Sequence, residues 1–185
     1  MGKRYERSRI WELGKQTAFR CYPRTNKEIK KAQDKNQGLS SKKIKTILNC
    51  CKSFIGCFAC DELQYLSTQS FPISLIVNTD RRGLQGSHWI SIRISQSKIE
   101  LFDSLGLIHD NRLPMDILAF IQRFTISRQF VFNGRLQPEK SVLCGFYSIL
   151  YIILRQYCSF NFINSYFGQN FHKNERIVKS FFNYT

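Results

Sequence analysis

The 185-residue chain contains no apolar run approaching the roughly 20 residues that a membrane-spanning helix requires. Its basic, polar N-terminal stretch has no apolar segment of the kind a secretory signal carries. Both absences argue for a soluble protein that does not enter the secretory route. An even, regularly spaced cysteine framework is also missing: there are seven cysteines, and Cys50 and Cys51 are adjacent. That pattern predicts few disulfides and an intracellular, reducing compartment. No internal repeat or low-complexity tract is present, so the chain does not read as a repeat array. Acidic residues are scarce, with 13 Asp and Glu against 28 Lys and Arg. The imbalance is local. Between Met1 and Lys45 fourteen basic residues face four acidic ones, which places +10 of the net +15 in this stretch.

What is present is enough for one folded domain: 43% of residues are hydrophobic and 14% aromatic. Residues 1–39 read as a loosely structured basic arm, because "NKEIKKAQDKNQG" has little apolar periodicity, and residues 40–185 read as the domain proper. Ser40 or Ser41 caps a short helix through "KKIKTILNCC", where Ile44, Ile47, Leu48 and Cys51 recur at helical spacing. "PISLIVNT" predicts a buried strand and "DRRGLQGS" the loop after it. An amphipathic helix follows Pro114, "FVFNGRLQ" predicts a further strand, and "NERIVKSFF" a final amphipathic helix.

Two segments carry candidate chemistry. "HWISIRISQSKIELFD" alternates as a half-buried hairpin does, with His88, Ile90, Ile92 and Ile94 on one face and Ile99, Leu101 and Asp103 on the facing one. With Ser95-Gln96 as a two-residue turn, His88 pairs with Asp103, setting a carboxylate beside an imidazole. The second segment, "LQPEKSVLCGFYSILYIIL", passes from a polar loop into a helix that is apolar on nearly every side and therefore buried. Cys144 falls in its first turn, where unpaired N–H groups and the helix dipole favour an anion such as a thiolate. Gly145 predicts room for a substrate backbone beside the sulfur.

Each residue alone has an ordinary explanation. A free cysteine is commonly a small core residue, a histidine a satisfied core or surface group, and Asp103 before Ser104 and Gly106 a turn carboxylate. Gln137 beside Pro138 fits a plain loop amide. Together they supply each part of an acyl-transfer site: a thiol, a base, a carboxylate that orients the base, and an amide donor for an oxyanion.

"IVNTDRRGLQGSHW", "LFDSLG" and "QPEKSVLCGFYSI" resemble the catalytic blocks of the adenovirus-type (adenain-like) cysteine proteases, with relatives in adintoviruses and Maverick/Polinton elements. Gly86, His88, Trp89, Asp103, Gln137, Cys144 and Gly145 match that pattern in order and spacing. "FIGCFACDEL" and "NERIVKSFF" resemble two further family segments, so the resemblance spans about residues 44–182. Adenovirus enzymes generally carry Glu where Asp103 stands, whereas the related SUMO-deconjugating proteases carry Asp. The resemblance implies an α+β fold in which a central helix bearing the cysteine packs against a mixed sheet bearing the histidine. It implies a monomeric cysteine endopeptidase: Cys144 as nucleophile, His88 as general base and acid, Asp103 orienting His88, and Gln137 with the Cys144 N–H holding the oxyanion. Trp89 is expected to pack beside the imidazole. Further implications are maturation of virion precursor proteins by cleavage after small residues such as glycine, a location in the virion and host nucleus, no cofactor, and the involvement of an activating peptide and of DNA, for which the basic N-terminal arm is the expected contact.

Two other functions stay open: a protease removing ubiquitin-like modifiers through the same site, and a basic DNA-binding structural protein whose Lys/Arg runs release counterions from phosphates. Zinc is disfavoured at Cys50, Cys51, Cys57 and Cys60, because adjacent cysteines rarely ligate one ion and no histidine is near.

Overall fold

A computed structural model describes residues 2–21, 38–68 and 70–182. The frame is a five-stranded mixed sheet in which sequence order equals spatial order. Its strands are β1 (Phe54–Ala59), β2 (Ile73–Asn78), β3 (Trp89–Ile94), β4 (Lys98–Phe102) and β5 (Gln129–Phe132). The outer pairs β1–β2 and β4–β5 are parallel, and the inner pairs are antiparallel. The helices are α1 (Gly2–Cys21), α2 (Ser41–Leu48), α3 (Met115–Thr125), α4 (Cys144–Leu154), α5 (Phe160–Asn164) and α6 (Phe171–Phe182), with a 3₁₀ segment over Cys60–Tyr65. The expected α+β class is what the chain adopts.

The alternation of β3 and β4 decides the layering, because successive side chains leave a strand on opposite faces. Ile90, Ile92 and Ile94, with Ile99 and Leu101, face a core completed by Ile117, Phe120 and Ile121 of α3. Ile76 and Phe102 face the other way, into a core built around α4, all of whose residues are buried. Two serines fasten that helix to β3: Ser91 Oγ donates to the Ser148 carbonyl at 3.1 Å, and Ser148 Oγ donates to the Trp89 carbonyl at 3.2 Å. At the far end of α4, Arg155 grips buried Glu100 with two nitrogens at 2.7 and 2.8 Å, and Tyr151 donates to the same carboxylate at 2.6 Å. Burial alone would raise the Glu100 pKa; the bonds to Arg155 and Tyr151 and the nearby cations lower it.

Three expectations need correction. Residues 2–21 are not a loose arm: they form α1, where Ile10 and Gly14 are buried and Trp11 packs half-buried against the core. Trp11 lies edge-on to Phe181 at 4.9 Å, and Gly14 approaches α4 so closely that a Cβ there would stand 2.7 Å from Leu154. The segment "NKEIKKAQDKNQG" lies outside the described residues except for Gly38. Second, the β3–β4 turn is centred one residue later than expected. Ser95 closes it, its N–H on the Lys98 carbonyl at 2.8 Å and its Oγ accepting from the Lys98 N–H at 3.0 Å. Ile94 therefore pairs with Ile99 and Ile92 with Leu101, and continuing that register sets Ile90, not His88, opposite Asp103. Moving a turn centre by one residue changes the pairing by two, so the faces are kept and His88 meets Asp103 on the diagonal. Third, Cys50 is disulfide-bonded, whereas Cys51, Cys57, Cys60, Cys144 and Cys158 are free.

Candidate active site

His88 stands just before β3 and Asp103 just after β4, so both lie at the same end of this antiparallel pair. The backbone enters β3 under control, because the Thr79 N–H bonds to the His88 carbonyl at 3.0 Å. His88 Nε2 lies 2.7 Å from Asp103 Oδ1, and both side chains are at least nineteen-twentieths buried. Asp103 is held on every side. Its Oδ1 also accepts the Leu105 N–H at 2.9 Å, and Oδ2 accepts the Leu107 N–H at 2.6 Å. The Asn133 amide clamps the Asp103 backbone, accepting its N–H and donating to its carbonyl, each at 2.8 Å.

With Nε2 on the carboxylate, Nδ1 is the nitrogen left for Cys144, whose side chain is near enough to raise the His88 pKa. Burial works against a charged imidazole here, but the bonds from Asp103 and then Cys144, with the charges of both, outweigh it and hold the His88 pKa up at about 9. Cys144 opens α4, which begins without a side-chain cap, so the first-turn N–H groups are left for an anion at the sulfur or on a substrate. The other free thiols lack such a setting. Burial pushes Cys51 and Cys158 up to about 11 and Cys57 to about 12, which suppresses the reactive thiolate.

Gln137 precedes α4 in a loop tied to Ser104, the neighbour of Asp103, since the Leu136 and Gln137 N–H groups both donate to the Ser104 carbonyl at 2.8 and 3.0 Å. Its side chain is fully buried; Nε2 reaches the Ser141 carbonyl only at 3.5 Å, and Oε1 has no partner among the described residues. The described contacts thus join His88, Asp103 and Cys144 directly, while Gln137 is linked through Ser104 and the loop into α4. From α6, buried Asn174 braces the same loop by donating to the Leu136 carbonyl at 2.9 Å.

One expectation about neighbours changes. The space beside Gly145 belongs to the protein: a Cβ there would stand 3.1 Å from Leu39 and 3.3 Å from Trp89. Trp89 lies against Gly145, and its indole N–H donates to the Leu39 carbonyl at 2.8 Å. Leu39, Trp89 and Cys144 share a groove of about 710 Å³ that continues past Asn78, Asp80 and the 81–87 loop. Asn133, Asn174 and Leu39 were not singled out in the sequence. An Asn-Gly pair after a strand is the ordinary signal of a turn, and nothing in "NGR" marks its asparagine as buried.

Cys57 and Cys60 lie in the cores on opposite faces of the sheet. Among the described residues no cluster of three or more His, Cys, Asp or Glu side chains is arranged to hold a metal ion.

No protein-family model matches the sequence, and no curated protein matches it either. Similarity emerges at the level of structure. The chain superposes on the crystal structure of the Se-Met ASFV pS273R protease with a TM-score of 0.52 and 18% identity, over 81% of this chain and 70% of that one. The chain therefore has the fold of a known protease, with a cysteine, a histidine and an aspartate in contact where its central helix meets the end of its sheet.

Proposed function

We propose that the chain is a cysteine endopeptidase. The observation that carries this reading is the continuous chain of contacts from Asp103 through His88 to a cysteine at an uncapped helix start. In the proposed reaction Cys144 Sγ attacks a peptide carbonyl carbon while His88 Nδ1 holds the thiol proton. Negative charge on the carbonyl oxygen is met by the Cys144 N–H and the Gln137 amide. His88 then gives its proton to the leaving amine as the C–N bond breaks, leaving a thioester. Water, deprotonated by His88, attacks the thioester and releases the acid and the thiol. Asp103 keeps the ring turned with Nδ1 toward sulfur throughout.

The substrates are polypeptides with small residues, glycine foremost, before the scissile bond. Support comes from the resemblance of the catalytic blocks to adenain-like proteases and from the Leu39–Trp89 wall beside Cys144. On the same resemblance, precursor proteins of a virus or virus-like element are the natural substrates. The test is turnover of acetyl-Leu-Ala-Gly-Gly-aminomethylcoumarin by purified protein and by Cys144→Ala, alongside a matched peptide with Leu-Leu before the reporter. Turnover lost in Cys144→Ala and confined to the Gly-Gly peptide supports the reading. Equal cleavage of both peptides would refute the glycine preference, and turnover retained in Cys144→Ala would refute the nucleophile.

A further inference from the structure

Most polar groups along the groove are already engaged within the protein. Asp80 accepts from Ser87 Oγ at 2.9 Å, Glu62 accepts the Ala59 N–H at 2.8 Å and pairs with Arg82, and Arg81 pairs with Asp116. Asn78 differs. It lines the groove yet is only 8% exposed. Its orientation is fixed, because Oδ1 accepts the Asp80 N–H at 2.9 Å and so Nδ2 must be the other end of the amide. Nδ2 donates to no described residue and is not among the buried side-chain atoms without a partner, so it opens onto the groove.

Two further observations aim that donor at a ligand. Gly86, also in the groove wall, has φ +85°, and a Cβ there would stand 2.6 Å from Nδ2. Glycine at 86 therefore leaves the amide uncovered, and any other residue would both strain the backbone and cap the donor. Asn78 also sits at the rigid end of β2, paired with Ala59 on one side and Trp89 on the other. Trp89 in turn abuts Gly145 beside Cys144. The donor thus stands one cross-strand step beyond Trp89 from the sulfur, on a frame that holds it still.

We propose that Asn78 Nδ2 is a substrate-binding donor that takes a main-chain carbonyl of the bound polypeptide, at a residue set back from the scissile bond by the width of Trp89. A main-chain acceptor suits this place because it is present at every residue of an extended peptide, so the contact fixes alignment in the groove without reading a side chain. The inference rests on the endopeptidase reading and adds to it the means by which the polypeptide is registered.

The deciding variant is Asn78→Asp, which keeps the oxygen that the Asp80 N–H needs and replaces the free donor by an acceptor. With acetyl-Leu-Ala-Gly-Gly-aminomethylcoumarin, KM should rise about three- to tenfold, as expected for loss of one hydrogen bond, with kcat changed less than twofold. A series of the same peptide with a thioamide at one position at a time checks this from the substrate side and needs only the unsubstituted protein. One position should raise KM, and that increase should vanish in Asn78→Asp. An unchanged KM in Asn78→Asp, or a thioamide series with no sensitive position, overturns the assignment. If the unsubstituted chain cleaves no peptide at all, the failure lies with the endopeptidase reading instead.

Discussion

Replacing Asp103 by asparagine tests the site at the point where geometry and charge can be separated. The side chain keeps its size, and its remaining oxygen can stay on His88 and the Leu105 N–H. The new NH2 then faces the Leu107 N–H, which now gives up a 2.6 Å bond. A buried donor left without an acceptor costs about 1–3 kcal/mol, so stability should fall by that amount. The electrostatic effect is distinct. His88 is held at about 9, above its ordinary 6.5, against a burial that favours the neutral ring. Because the folded value is raised, the stability gained from charged His88 is fully present below pH 6.5. It is lost as pH rises through 9, and the shift corresponds to about 3 kcal/mol. Removing the Asp103 charge leaves burial opposed chiefly by Cys144, so His88 deprotonates at lower pH. The alkaline limb of kcat/KM, a property of the coupled His–Cys pair, should move below its position near pH 9, and the loss of stability between pH 6.5 and 9 should flatten. At neutral pH kcat should fall about 10- to 100-fold with KM little changed, less than the ~10⁴ seen at a serine nucleophile, because sulfur is intrinsically more reactive. The assay is kcat and KM from pH 5 to 10, with urea melts across the same range. An alkaline limb unmoved by Asp103→Asn, or a larger loss from Asp110→Asn in the exposed loop, would refute the assignment.

Further outcomes follow from other interactions. Gln137→Ala should lower kcat about 10²- to 10³-fold with a small change in KM if the amide serves the oxyanion, which steady-state kinetics will show. Arg155→Ala leaves Glu100 buried without its bidentate partner and should cost about 3–5 kcal/mol in a urea melt. Ile10→Asp, which puts a charge into the packing of α1 on the core, should lower Tm, whereas a truly detached arm would leave it unchanged. On the expectation that the basic segment binds DNA, replacing Lys27, Lys30, Lys31 and Lys35 by glutamine should flatten the salt dependence of that binding, by about 0.9 in log–log slope for each phosphate no longer neutralised, without reducing peptide turnover; an unchanged slope would refute a DNA contact by this segment.

The parts legible in the sequence were those fixed by local pattern. The period-2 run through Trp89–Ile94, the Ser40 cap with Ile44, Ile47 and Leu48, and the apolar run into α4 each gave an element close to its observed bounds. His88 and Asp103 were placed on one face despite a misplaced turn, because face parity survives a one-residue move of the turn centre. What escaped depended on distant partners. α1 has a weakly amphipathic, highly basic sequence, and only the surfaces of α4 and α6 show why Ile10 is buried and Trp11 half-buried. Asn133 and Asn174 act through backbone atoms of residues 30 and 38 positions away in the chain. Gly145 was read as leaving room for a substrate backbone, but that room is taken by Leu39, 106 positions earlier in the sequence.

The most direct test of the central claim is intact-mass analysis after treatment with a peptide ending in Gly-Gly-vinyl methyl ester, followed by mapping of the modified residue. The account predicts one adduct, on Cys144, formed at a rate that collapses in His88→Ala while Tm shows that variant still folded. An adduct on Cys51, Cys57, Cys60 or Cys158, or labelling of Cys144 at an undiminished rate in His88→Ala, would contradict it.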